Sequence, residues 1–329
     1  MCGCDKVEVM EQPIQLQQGY ICFNTEVSTR GELVEYLSGK SFGITAYNYT
    51  GEWSFVKVQA NPNVFQSHGQ EVTWDGGMHT YTPLVPWDAS KKYAFFGYYP
   101  YGNSNVVLSD KDIEGTPYID FTLPHTLNEM VDVMTASLID TDNSSSNAVG
   151  LTFKHRLTAM DVQAQNFHEQ GYTIRINSMS MRFDNLLYNK VRLPLDDALD
   201  ITRSATNNWT KIQSYQLVSD SNPITIEPAG TITGSTPTVS VTNNSSLIFI
   251  PQEVDARGNF LRGNVSITYD EIEGNMINSK TFTTDFDLGK SLLAGRKYYF
   301  LINFSTTSVS IAIVDSGEWT DKNIEIEFE

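Results

Sequence analysis

Cysteine is almost missing from this sequence. Of 329 residues only Cys2, Cys4 and Cys22 carry a thiol, and nothing after position 22 does. An odd count of three excludes a disulfide framework. Zinc needs about four ligands, and no histidine or further cysteine lies near Cys2 and Cys4 to supply them. Histidine is scarce too: His68, His79, His125, His155 and His168 stand apart, without metal-ligand spacing. No apolar run reaches the roughly 20 residues of a membrane-crossing helix. Positive charge is short, 22 Lys and Arg against 39 Asp and Glu for a net charge of −17. That balance argues against a nucleic-acid partner, which would require clustered Lys and Arg. There is no G-x-S-x-G elbow, H-E-x-x-H helix, phosphate loop or dinucleotide glycine pattern. No enzymatic activity, cofactor or metal is expected.

What the sequence has in abundance is strand. "GYICFNTEV", "KKYAFFGYYP", "YTIRINSMSMRF", "SLIFIPQEV", "GNVSITYDEI", "RKYYFLINF" and "TSVSIAIVD" are short β-branched and aromatic runs. Ile174, Ile176, Met179 and Met181 share one side with a bulge between them, and Ile311 and Ile313 repeat the period of two. Asn, Ser, Gly and Pro clusters separate the runs. Helical periodicity is rare. "GELVEYLSGK" predicts a two-turn helix over residues 31–38, with Leu33 and Leu37 on one face and Gly39 as its stop. Many strands at short spacing predict an all-β chain of antiparallel sandwiches. The polar tract "TDNSSSNAVG" divides it: residues 1–30 as a leading segment, 31–147 as an N-terminal domain and 148–329 as a C-terminal domain.

Three local patterns invite a chemical reading. "DTDNSSSNAVGL" opens like a calcium loop at Asp140, Asp142 and Ser144, but lacks its sixth-position glycine and has Leu151 where a glutamate belongs. Asp196 with Asp197, and Glu271 with Glu273, are carboxylate pairs of the kind an acidic protein carries on a solvated face. The aromatic run Tyr93–Gly102, with Trp53, Trp74 and Trp87, is the best material for a sugar-stacking surface. At strand spacing, however, half of those rings face a core. The alternative function it would serve is a glycan-binding surface lipoprotein. Gly3-Cys4 is like the end of a bacterial lipobox, in which case Met1 and Cys2 are the remainder of a removed leader.

Several segments, in order, resemble the fimbrillin family of Bacteroides-type bacteria, and within it the Mfa-like or fimbrillin-like members. They are "STRGELVEYLSGKSFGITAYNY", "YAFFGYYP", "DVMTASL", "VGLTFKHRLTAMDVQ" and "LLAGRKYYFLINFSTTSVSIAIVDSGEW". The more specific elements are F-x-H-x-L at Phe153, His155 and Leu157, and G-x-x-Y-x-F-x-I from Gly295 to Ile302. The resemblance implies two tandem transthyretin-like β-sandwich domains in a surface lipoprotein of the Gram-negative outer membrane. Such a protein is a structural pilus subunit, or its tip or accessory pilin, mediating adhesion. Its implied partners are other pilin subunits and a surface receptor or glycan. Cys4 becomes the lipidation site, and Arg30-Gly31 the place where a trypsin-like protease cuts. Cleavage there would free a first strand whose Ile21 and Phe23 share a face. The vacated edges would invite a replacement strand. "KNIEIEFE" alternates Ile324, Ile326 and Phe328 with glutamates, and is a candidate donor or else the last strand of its own sheet.

Overall fold

The computed structural model describes residues 19–28, 33–34, 37–66, 68–109, 111, 114–124, 129–142, 148–168, 172–183, 190–196, 198, 215–217, 224–226, 238–241, 246–251 and 262–318. The fold is all-β. Its first half holds β1 (Phe23–Ser28), β2 (Leu33–Val34), β3 (Phe42–Tyr49), β4 (Gln70–Trp74), β5 (His79–Thr80), β6 (Lys92–Tyr99), β7 (Val106–Ser109), β8 (Tyr118–Thr122), β9 (Met134–Thr141) and β10 (Val149–His155). The one described helix, α1, is a single turn at Trp53–Val56. The second half continues with β11 (Thr158–Asn166), β12 (Tyr172–Phe183), β13 (Lys190–Pro194), β14 (Tyr215–Leu217), β15 (Ile224–Ile226), β16 (Thr238–Ser240), β17 (Leu247–Phe249), β18 (Arg262–Glu273), β19 (Met276–Asp287), β20 (Arg296–Phe304) and β21 (Val309–Glu318).

In the first half the strands run β10-β9-β6-β3-β4-β5-β1-β2, and β10 also pairs with β1, so the sheet curls until it closes on itself. β3 and β6 are buried on both faces, which is why they read as nearly continuous apolar runs. Phe42, Ile44, Ala46, Tyr93 and Phe95 fill the inside of this ring. Tyr47, Tyr49, Ala94, Phe96 and Tyr98 face the other way, into a second core. Two glycines permit the close approach of large rings. A Cβ on Gly97 would lie 2.9 Å from Phe153 Cζ, and one on Gly43 would lie 2.1 Å from Tyr98 Cζ. Both distances are below those real Cβ atoms show, so a side chain at either point would have to push a buried ring aside.

In the second half, β16-β11-β20-β21 form one sheet and β14-β12-β18-β19 another. Met160, Val162, Phe300 and Ile302 of the first share a core with Ile174, Ile176, Val265 and Ile267 of the second. Tyr269 meets Phe304 edge-on with ring centroids 4.8 Å apart. The faces thus pack as a sandwich, with the expected bulge in β12 between Ile176 and Ser178.

Two expectations change, and the packing bears on a third. Leu33 and Val34 do not begin a helix: they form β2, opposite Ser28 and Val27. A strand edge at β1 satisfies their backbone groups, and that tertiary partner outweighs a weak helical period. The sheets are not purely antiparallel, since β1 runs parallel to β10 and β11 parallel to β20. Asn147 itself lies outside the described residues, but the strand just after it, β10, belongs with the strands before it. Val149, Leu151 and Phe153 are buried in the same core as Ile21 and Phe23, so a division at that point would cut through a core. β13 also returns from the second half to pair with β8, joining the three-stranded sheet β13-β8-β7. Finally, one apolar cluster runs unbroken from Tyr47 to Phe304 across the expected boundary.

Candidate functional site: the first strand and its slot

The alternation of "YICFNT" places Ile21, Phe23 and Thr25 on one side, and all three are buried while Tyr20 and Asn24 are exposed. Phe23 sits among four rings, with centroids of Phe42, Phe65, Tyr81 and Phe95 all between 5.7 and 6.3 Å away. Edge-on and tilted arrangements of this kind add to the simple burial of the ring. Cys22 is a free thiol, buried just before the strand.

Backbone bonds hold the segment on both sides. Phe23 to Val27 lie in register with Val149 to Phe153 of β10, and the Val149 N–H donates to the Cys22 carbonyl at 2.7 Å. On the other side Phe23 pairs with His79 of β5. The Ile21 N–H donates to Val85 O at 2.9 Å, and the Trp87 N–H donates to Gly19 O at 3.0 Å. The Tyr81 hydroxyl donates to Ile21 O at 3.0 Å, and burial pushes its pKa up to about 12. One bond joins two side chains across the slot, Thr25 Oγ1 to His79 Nε2 at 2.8 Å. The His79 ring is packed edge-on against Phe42 and Trp74, with centroids 5.1 and 4.9 Å away. Burial lowers its pKa to about 4, so the ring is neutral at pH 7.

Ile21 and Phe23 are thus both buried on one side of this segment. Arg30, Gly31, Cys4, Ile324, Ile326 and Phe328 lie outside the described residues. Thr25 shares the face of Ile21 and Phe23 in the sequence, but its pairing with His79, and the place of Tyr81 beside it, have no signal there: fifty-four residues separate Thr25 from His79, and no local pattern links them.

Several of the remaining chemical candidates have structural partners, while His125, Ser144 and Asp197 lie outside the described residues. His155 Nδ1 lies 2.9 Å from Asp132 Oδ2 in a buried pair. The Asp140 carboxylate accepts from the Tyr49 hydroxyl at 2.9 Å and the Trp53 N–H at 3.1 Å. Glu271 is paired with Lys280 at 2.6 Å, and Glu273 accepts from the Tyr172 hydroxyl at 3.0 Å. Among the described residues no three or more His, Cys, Asp and Glu come together in a way that could hold a metal. Of the rings proposed for sugar stacking, Trp53, Tyr93, Phe95, Phe96 and Tyr98 are buried. Trp87 is packed on Tyr93 and Phe95, and Trp74 on His79.

A family model described as fimbrillin-like matches residues 35–319. The chain belongs to the fimbrillin-like family. Among solved structures, a fimbrial protein from Bacteroides vulgatus is similar to this fimbrillin-like chain with a TM-score of 0.60 at 20% identity, covering 92% of this chain and 99% of that one. A candidate cell-adhesion protein from Bacteroides uniformis gives a TM-score of 0.49 at 14% identity, over 94% of this chain and 100% of that one. No match was found among curated proteins.

Proposed function

We propose that this fimbrillin-like chain is a structural subunit of a surface fimbria, serving adhesion as a stalk or tip pilin, and that β1 is exchanged for another subunit's strand during assembly. Membership of the family supports the first part. The seating of β1 supports the second. With Ile21 just before it, the strand covers the ring-shaped core through Ile21 and Phe23, whose removal would expose apolar surface stabilising by about 3–6 kcal/mol. It would also uncover the edge of β10. In this reading Cys4 carries the lipid that holds the precursor at the outer membrane, and cleavage between Arg30 and Gly31 releases it. Ile324, Ile326 and Phe328 are the apolar face offered to the next subunit. The chain is then two transthyretin-like units, the first of which runs through β10.

Low-dose trypsin on the native chain tests this. Cutting is expected after Arg30 before most other basic residues, followed by oligomers in size-exclusion chromatography. Replacing Ile324, Ile326 and Phe328 with Ser is expected to block the oligomers and leave the monomer's melting unchanged. A native protein whose Arg30 resists trypsin, or a cut protein that stays monomeric, would reject the maturation scheme.

A further inference from the structure

Apart from the Tyr81 hydroxyl on the Ile21 carbonyl, the slot that holds β1 meets a polar side chain of the strand at one place. Phe23 enters a cage of aromatic rings, Ile21 lies fully buried beside it, and two residues beyond Phe23 the Thr25 hydroxyl meets the His79 ring. His79 Nδ1 is buried with no hydrogen-bond partner. Thr25 is thus the partner of the one ring nitrogen that is satisfied. A neutral imidazole has one N–H and one lone pair. Whichever tautomer it adopts, taking away the hydroxyl would leave both nitrogens buried and unpaired.

We infer that His79 selects the strand that occupies this slot. The slot takes a segment running parallel to β10 that presents an apolar residue, an aromatic one and a hydroxyl at alternate positions, and it discriminates against an aliphatic residue in place of the hydroxyl. This rests on the strand-exchange reading above and adds to it the chemistry of the partner: a strand from another subunit patterned like Ile21, Phe23 and Thr25, for which the Ile324, Ile326 and Phe328 face, carrying no hydroxyl, is the poorer occupant. The aromatic cage sets affinity, because a ring can be replaced by other apolar groups at graded loss. The histidine sets specificity, because a buried polar group left without its partner is penalised far more than a poorly filled apolar pocket. His79 is buried between the two rings, so it has little access to water that could take the hydroxyl's place.

The test uses the full chain with a site-specific protease sequence placed between Ser28 and Leu33. After cutting, the protein is offered labelled synthetic peptides spanning residues 19–28: the native sequence, Thr25→Ser and Thr25→Val. The native and Ser peptides are expected to be taken up alike, and the Val peptide about tenfold or more weakly. On protein carrying His79→Leu, the Val peptide is expected to bind at least as well as the native one. Equal uptake of Thr and Val peptides by the His79 protein would overturn the inference while leaving strand exchange intact. So would an unchanged ranking on His79→Leu. Failure to take up any peptide, the native one included, would reject strand exchange and the inference together. Where His79→Leu does not fold, the comparison of Ser with Val on the unaltered ring decides.

Discussion

His79 illustrates how much a single residue's role depends on distant chain. Its sequence neighbours, "GGMHTY", suggest no more than a turn leading into a strand. Its function comes from Thr25, Phe42 and Trp74, which the fold brings around it. By contrast the burial of Ile21 and Phe23 was legible, because alternation in a strand needs no knowledge of the partner. His79 also has a measurable titration. Burial lowers its folded pKa to about 4, while in the unfolded chain it titrates near 6.5. The unfolded state therefore binds the proton first as pH falls. The stability this neutral ring permits is complete above about pH 6.5 and is lost progressively down to about pH 4, by up to ~3 kcal/mol. Burial lowers His168 in the same direction. Thermal melts at stepped pH are expected to show a shallower fall for His79→Gln than for the native chain. Parallel curves for the two proteins would show that the ring does not govern acid stability.

At the scale of elements, the residue pattern marked seven of the described strands but not their neighbours. The two faces and the bulge of β12 follow from Ile174, Ile176, Met179 and Met181, and the burial of β20 follows from its aromatic run. Pairing is set elsewhere, by which edges are free when a segment arrives. Leu33 and Val34 found the edge of β1, and a helical period of two residues could not compete. Val149 to Phe153 found the other edge of the same strand, though a polar tract separates them from everything N-terminal. Polar tracts mark surface loops reliably, but a surface loop is also what joins two strands of one sheet. A fragment of residues 1–147 is therefore expected not to fold, since it lacks Val149, Leu151 and Phe153 and leaves Phe23 with one covered side. The full chain, nicked by a protease site placed within residues 143–147, is expected to keep its near-UV circular dichroism and elute as one species. A cooperative melt from the isolated fragment would restore the division at Asn147.

The whole molecule carries its cohesion in the cluster that connects its halves. Tyr47, Trp53 and Phe96 form one end of it, with Phe96 centroids 5.9 and 5.5 Å from those of Tyr47 and Trp53. Leu157, Met160, Tyr298 and Phe300 continue it into the second sandwich, and β13 closes it over β8. Length alone points to two separate cores, because chains of this size usually divide. Length is blind to whether the outer face of a first sheet is polar. Here Tyr47, Ala94, Phe96 and Tyr98 make that face apolar, and the second half is what covers it. Units that share an apolar core lose it together, so calorimetry is expected to show one unfolding transition rather than two. Phe96→Ala removes a fully buried ring at one end of the cluster, and is expected to lower stability by about 3–5 kcal/mol. The whole transition should move down with it, as followed both by tyrosine and tryptophan signals of the first half and by hydrogen exchange in β11 and β20. If instead the native chain melts in two steps and Phe96→Ala shifts only the first, the shared core contributes no coupling. The two halves would then be independent bodies in contact.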